Sequence, residues 1–178
     1  GEAVRAAKAA GRSVHVLPPY RGEHWLKLAN LLSVAPGAVT DAVSLPFVRA
    51  VINMRIHKTP EEVAEIERAV NTSVDMHVTA MAMARPGMKE SDIAAKVTEI
   101  ALAAGGNLAF PVIATIHGET LHNHHHGHTL TSGDLFLLDT GAETAMGYAG
   151  DLTSTFPVDK TFTSRQRDVY QIVLDAHL

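Results

Sequence analysis

Apolar positions recur along this chain at two different periods, and the change from one to the other organises it. Residues 2–10 are alanine-rich and helical in pattern, with Arg5 and Lys8 toward the end and Gly11 placed to stop the helix. Ser13-Val14-His15-Val16-Leu17 alternates as a short strand does, and Pro18-Pro19 ends it. From Gly22 to Leu32, Trp25, Leu28, Ala29 and Leu32 share one helical face. A Pro36-Gly37 turn follows, then a predicted helix from Asp41 to about Arg55, with Pro46 in its tolerant first turns. One strand among helices does not complete a layered fold. Residues 1–57 are therefore expected to be the C-terminal remnant of an α/β domain.

The clearest boundary is His57-Lys58-Thr59-Pro60-Glu61-Glu62. Thr59 suits an N-cap, Pro60 the first helical position, and Glu62 falls three residues after the cap, as a capping box requires. Val63, Ile66, Val70, Val74, His77 or Val78 and Met81 then recur at helical spacing until Arg85-Pro86-Gly87. A second helix is predicted from about Glu90 to Ala104, closed by Gly105-Gly106. After it the period shortens. Leu108–Ile116, Leu135–Asp139 and Gly147–Pro157 read as strands, Gly133-Asp134 as a turn, and a last helix starts near Ser164. The class is α+β, with residues 58–178 as the second unit.

Composition narrows the function. The 178 residues are 46% hydrophobic and 19% charged, which fits a globular chain and not a disordered one. A net charge of −4 leaves no basic excess to hold a phosphate backbone, so nucleic acid is not expected as a partner. Without cysteine there is no disulfide, thiolate metal site or thiol nucleophile. No apolar run approaches the roughly 20 residues that span a bilayer, and Gly1-Glu2-Ala3-Val4-Arg5 lacks a signal-peptide layout. A cytoplasmic setting, away from membranes, is expected.

Three residues carry candidate chemistry. Asp139 ends the apolar run Leu135–Leu138, and a carboxylate there needs a partner. It could simply cap the Thr140-Gly141 turn. Asp151 stands between Gly150 and the strand-like Leu152–Phe156, against strand propensity. The two lie twelve positions apart around a glycine-rich connection, a spacing that lets a hairpin present both carboxylates to one point. Carboxylates held together repel, and a divalent cation with hard oxygen ligands resolves the repulsion. His122 lies seventeen positions before Asp139; alone it would pass for a loop histidine.

Phe110-Pro111-Val112-Ile113, His122, Gly133–Glu143 and Gly147–Val158 follow in this order, continued by Phe162-Thr163, Gln166, Tyr170 and Val173-Leu174. In that order the sequence resembles the pita-bread metallopeptidases, in particular Xaa-Pro aminopeptidases and prolidases. The resemblance is good over about residues 50–178 and weak before them. It implies the first half of a pita-bread (creatinase/aminopeptidase-like) domain in residues 58–178, preceded by the tail of a smaller α/β domain.

The resemblance also implies an activity. It would be that of a metal-dependent exopeptidase hydrolysing the bond before proline at a peptide N-terminus, through a hydroxide bridging two divalent metals. Asp139 would be a ligand of one metal and Asp151 would bridge the two. His122 would line the substrate pocket and assist at the scissile amide. Manganese is the first expectation, with cobalt or zinc as alternatives. The partners implied are peptides with proline in second position and, for the protein itself, a homo-oligomer, a dimer. Prolidase activity and a non-catalytic pita-bread interaction protein are the alternatives. The family's remaining ligands, a histidine and two glutamates, have no counterpart here. Residues 1–178 are thus expected to be a fragment without the complete metal site. Ser154 also departs from the family, whose members often carry arginine there.

Five of the chain's 11 histidines fall within His122–His128. A run on one loop rarely converges on a metal, so His124–His128 are expected to form a polar rim. His15, His24, His57, His77 and His177 have no motif partners and are assigned ordinary surface or core roles.

Overall fold

The computed structural model describes residues 1–178, which divide into two compact units, Gly1–Lys58 and Thr59–Leu178. In the first, α1 (Glu2–Ala9) is followed by α2 (Gly22–Leu32) and α3 (Leu45–Ile56), the last two joined through a 3-10 turn over Pro36–Ala42. Ala29, Leu32 and Val39 form its small core, against which Val4, Val14, Val16, Trp25 and Leu28 pack. Lys8 donates to the Leu32 carbonyl at 2.7 Å, tying α1 to the end of α2. The strand expected over Ser13–Leu17 is reduced to one parallel bridge, Val16 to Val43. Alternation suits a strand, but a ladder needs a neighbour, and only Val43 offers one. The helix expected from Asp41 starts instead at Leu45, because Ser44 caps it by accepting from the Phe47 N–H and Pro46 occupies its first turn.

In the second unit α4 (Pro60–Met83) begins with the capping box the sequence announces: Thr59 Oγ1 accepts from Glu62 N–H, and Glu62 Oε2 accepts from Thr59 N–H at 2.7 Å. After α5 (Glu90–Ala103) come β1 (Asn107–Leu108), β2 (Ile113–Thr115), β3 (Leu135–Thr140), β4 (Ala142–Glu143) and β5 (Leu152–Pro157), and α6 (Ser164–His177) closes the chain. The expected strand over Leu108–Ile116 is split in two: β1 pairs with β4, and β2 with β3. Pro111 lies in the gap, where its missing N–H cannot serve a ladder.

The main sheet has the antiparallel order β2-β3-β5. Helices α4 and α5 pack against each other and against the sheet. Met76, Ala80, Ile93, Val97, Ala101, Leu130, Phe136, Leu138, Phe156 and Val158 form the core between these layers. Burial of that apolar area is the main stabilising contribution. Strand alternation then leaves Leu135, Leu137 and Asp139 on the other, half-exposed face. No helix is long and apolar enough to cross a membrane.

Candidate metal-binding site

Asp139 stands on the half-exposed face of β3 while its neighbours Leu138 and Thr140 are buried. Its cross-strand partner in β5 is Thr153, and Thr140 pairs with Leu152. Beyond the named strands the pairing continues: Gly150 N–H donates to the Ala142 carbonyl at 2.8 Å, and Glu143 bridges Ala149. Asp151 therefore stands opposite Gly141, two residues from Thr153. Period-two alternation puts both carboxylates on the same face, as diagonal neighbours. Asp139 is half-buried and Asp151 exposed.

Two glycines permit close approaches here, Gly141 to the opposite strand and Gly150 to α4. A Cβ on Gly141 would lie 1.8 Å from the Gly150 carbonyl oxygen, and one on Gly150 would lie 2.5 Å from Ser73 Oγ. Both strands are pressed onto α4 at this point. Ser73, with 0% exposure, donates to the Ala69 carbonyl at 2.7 Å and accepts from the Ala142 N–H at 2.9 Å. One turn further along α4, His77 is 3% exposed. Its Nδ1 lies 2.8 Å from Ser154 Oγ and its Nε2 3.2 Å from the Thr140 carbonyl. A ring nitrogen facing a carbonyl must donate, so Nε2 carries the proton and Nδ1 accepts from Ser154. Burial lowers the His77 pKa from its ordinary 6.5, against the carbonyls of Thr140 and Leu152 and the nearby charge of Asp139. The neutral ring thus holds the backbone between the two aspartates. Ser154, whose sequence signal was only the loss of an arginine, is its partner.

His122 is exposed, in a loop between β2 and β3, with a left-handed φ of 52°. No hydrogen bond or ring contact joins it to Asp139 or Asp151, whereas the antiparallel register sets the two aspartates on one face. The histidine run is more structured than a rim. His126 Nε2 donates to the Val112 carbonyl at 3.0 Å, and the His128 ring stands edge-on to His117 and His125 at 4.5 and 5.0 Å. Glu90, which the sequence marked only as a helix start, is 0% exposed beneath this loop. His77 takes one of the ordinary roles expected of it, a core position; Ser73 and Glu90 carry no sequence signal, because a buried polar residue on a helix has the same spacing as its apolar neighbours.

Two carboxylates on one face are hard oxygen donors suited to a divalent cation. No group of three or more His, Asp or Glu side chains is arranged to hold a metal ion by itself. The donor set thus fits part of a metal site.

Residues 64–178 match metallopeptidase family M24. The chain belongs to this family. This M24 chain is 38% identical to the Xaa-Pro aminopeptidase of Escherichia coli K12 over 128 residues, which are 69% of this chain and 28% of that protein. The structure of proline aminopeptidase P II from Yersinia pestis superimposes with a TM-score of 0.66 at 40% identity, over 69% of this chain and 29% of that one. Aminopeptidase PepP from Pseudomonas aeruginosa reaches a TM-score of 0.76 at 26% identity, over 93% of this chain and 39% of its own. The α+β layers of residues 64–178 belong to the pita-bread fold, and the chain spans less than two fifths of each of these relatives.

Proposed function

We propose that this chain supplies part of the active site of a cytoplasmic Xaa-Pro aminopeptidase, and that Asp139 and Asp151 are metal ligands in it. The single observation that carries the reading is the continuous antiparallel register that sets the two carboxylates on one face. Membership of a metallopeptidase family supports it. In this reading residues 1–57 are the remnant of an N-terminal domain, and the remaining ligands lie in a further segment.

Divalent ions, when bound, would supply an ionised water as nucleophile and polarise the scissile carbonyl. Manganese is the first choice, with cobalt and zinc as alternatives for a carboxylate-rich set. The chain's own residues do the rest. Asp139 would hold one ion from the rigid centre of the sheet, and Asp151, at the start of β5, would bridge to the second. Thr153 lies between them on the same face and leaves that face polar. His122 would line the pocket for a peptide with proline in second position and pass or hold a proton at the scissile amide. The assembly carried over from the resemblance is a homodimer.

The test is metal binding followed by turnover, in a chain continued past Leu178 through the family's remaining ligands. It should bind Mn²⁺ and hydrolyse Xaa-Pro peptides, and Asp139→Asn or Asp151→Asn should remove both properties. His122→Ala should lower kcat by about 10²–10⁴-fold while metal still binds. Absence of both metal and turnover overturns the reading.

A further inference from the structure

The loop that carries His122 leaves β2 at Thr115 and returns to the core at His128, and one buried side chain holds both ends. Glu90 Oε1 accepts from the Thr115 hydroxyl at 2.9 Å and from the Ile116 N–H at 2.9 Å. Oε2 accepts from the His128 N–H at 3.1 Å and from His128 Nδ1 at 2.9 Å. The backbone repeats the clamp, since Glu90 N–H and Ser91 N–H donate to the carbonyls of His128 and His126. Glu90 is the first residue of α5, where a negative charge is favoured. Burial works against the ion, but the donors from Ile116, His128 and Thr115 outweigh it and hold the carboxyl below its ordinary range.

The connection continues to the neighbour of His122. The Thr115 hydroxyl spends its proton on Glu90 and accepts from the His117 N–H at 2.9 Å and from Asn123 Nδ2 at 3.4 Å. Asn123 Oδ1 in turn accepts from the His125 N–H at 2.9 Å. His122 itself forms no such bond, and its backbone is left-handed, with φ 52°. Thus a path of hydrogen bonds runs from the α5 terminus through Thr115 and Asn123 to the position beside His122.

We infer that Glu90 is the positioning residue of His122, clamping both ends of its loop and setting its place through Thr115 and Asn123. This rests on the proposed role of His122 in the active site. A buried carboxylate that only satisfied a helix end would not need to collect donors from both ends of one loop.

Glu90→Gln is the informative change, since the amide keeps the volume and one acceptor oxygen but turns an NH₂ toward two donors. In the 178-residue chain, amide exchange at Ile116 and His128 should speed up by about tenfold or more, a loss of about 1.4 kcal/mol of local protection. NMR shifts should move at 117–127 and stay fixed around His77 and Asp139. In the extended, active chain, Glu90→Gln should lower kcat with little change in KM. Combined with His122→Ala, it should cost almost nothing further, because an unpositioned His122 and an absent one are equivalent. A folded Glu90→Gln protein with an unchanged loop overturns the inference, and so do additive effects on kcat. If Glu90→Gln does not fold, Thr115→Val removes one clamp bond and is judged by the same exchange and coupling. Full activity in His122→Ala alone would instead defeat the proposed role of His122, and loop exchange would still decide whether Glu90 is a clamp.

Discussion

His77 and Ser154, 77 positions apart in sequence, meet at 2.8 Å beneath the aspartate pair, and the other ring nitrogen of His77 faces the Thr140 carbonyl. Helix α4 thereby grips β3 next to Asp139 and β5 three residues after Asp151. Because the folded pKa of His77 lies below 6.5, the unfolded chain takes up the proton first as the pH falls. The contribution of the neutral ring is complete above about pH 6.5 and is lost as the pH drops toward the folded pKa. His77→Ala should cost about 2–4 kcal/mol at neutral pH, from lost side-chain packing and unpaired polar groups. It should also flatten this part of the acid dependence. Urea unfolding of wild type and variant on both sides of that window checks both effects.

The closeness of the carboxylate-bearing strands depends on the absence of a side chain at Gly141. A methyl group on Gly141 would lie 1.8 Å from the Gly150 carbonyl oxygen, backbone that cannot rotate away as a side chain could. Gly141→Ala must open the hairpin, and overpacking of this kind costs about 1–3 kcal/mol or more. A lowered thermal midpoint, with lost protection at the Gly150 amide, is the expected result. Wild-type stability in this variant would mean that the register beside Asp139 is not fixed by this contact.

Ser73 carries a third part of the arrangement. Its hydroxyl is the acceptor for the Ala142 N–H at 2.9 Å, in a place without water access. Ser73→Ala leaves that N–H buried and unpaired, at about 1–3 kcal/mol. Denaturant midpoints measure the cost, and faster exchange of the Ala142 amide locates it.

Much of this could be read from the sequence, and the exceptions share a cause. Thr59-Pro60-Glu61-Glu62 specifies a helix start through contacts within four residues, so it was legible. The alternation in Leu135–Asp139 likewise fixed a strand and its buried face. The first unit was harder to read, since Ser13–Leu17 carries a strand pattern but a strand exists only through its partner. Asp139 and Asp151 were found because carboxylates beside apolar runs stand out against their surroundings. His77, Ser73 and Glu90 did not stand out. Their roles come from atoms more than twenty positions away, and neither period nor composition records such distances.

Tyr148 gives a spectroscopic view of the turn that joins the two aspartate strands. Its hydroxyl donates to Glu62 Oε1 at 2.8 Å, while the same carboxylate closes the α4 capping box through Oε2. Ionising the phenol would set a second negative charge against Glu62, and this contact raises the Tyr148 pKa above its ordinary 10.0. The folded state then holds a proton that the unfolded chain releases. The contact's contribution is present below about pH 10 and lost as the pH rises through the folded value. In a phenolate absorbance titration, the wild-type minus Tyr148→Phe difference should contain a transition displaced to the alkaline side. Glu62→Gln should bring that transition back toward the ordinary range by removing the charge. A difference spectrum that titrates at the ordinary value in wild type would mean that the turn does not rest on the helix start.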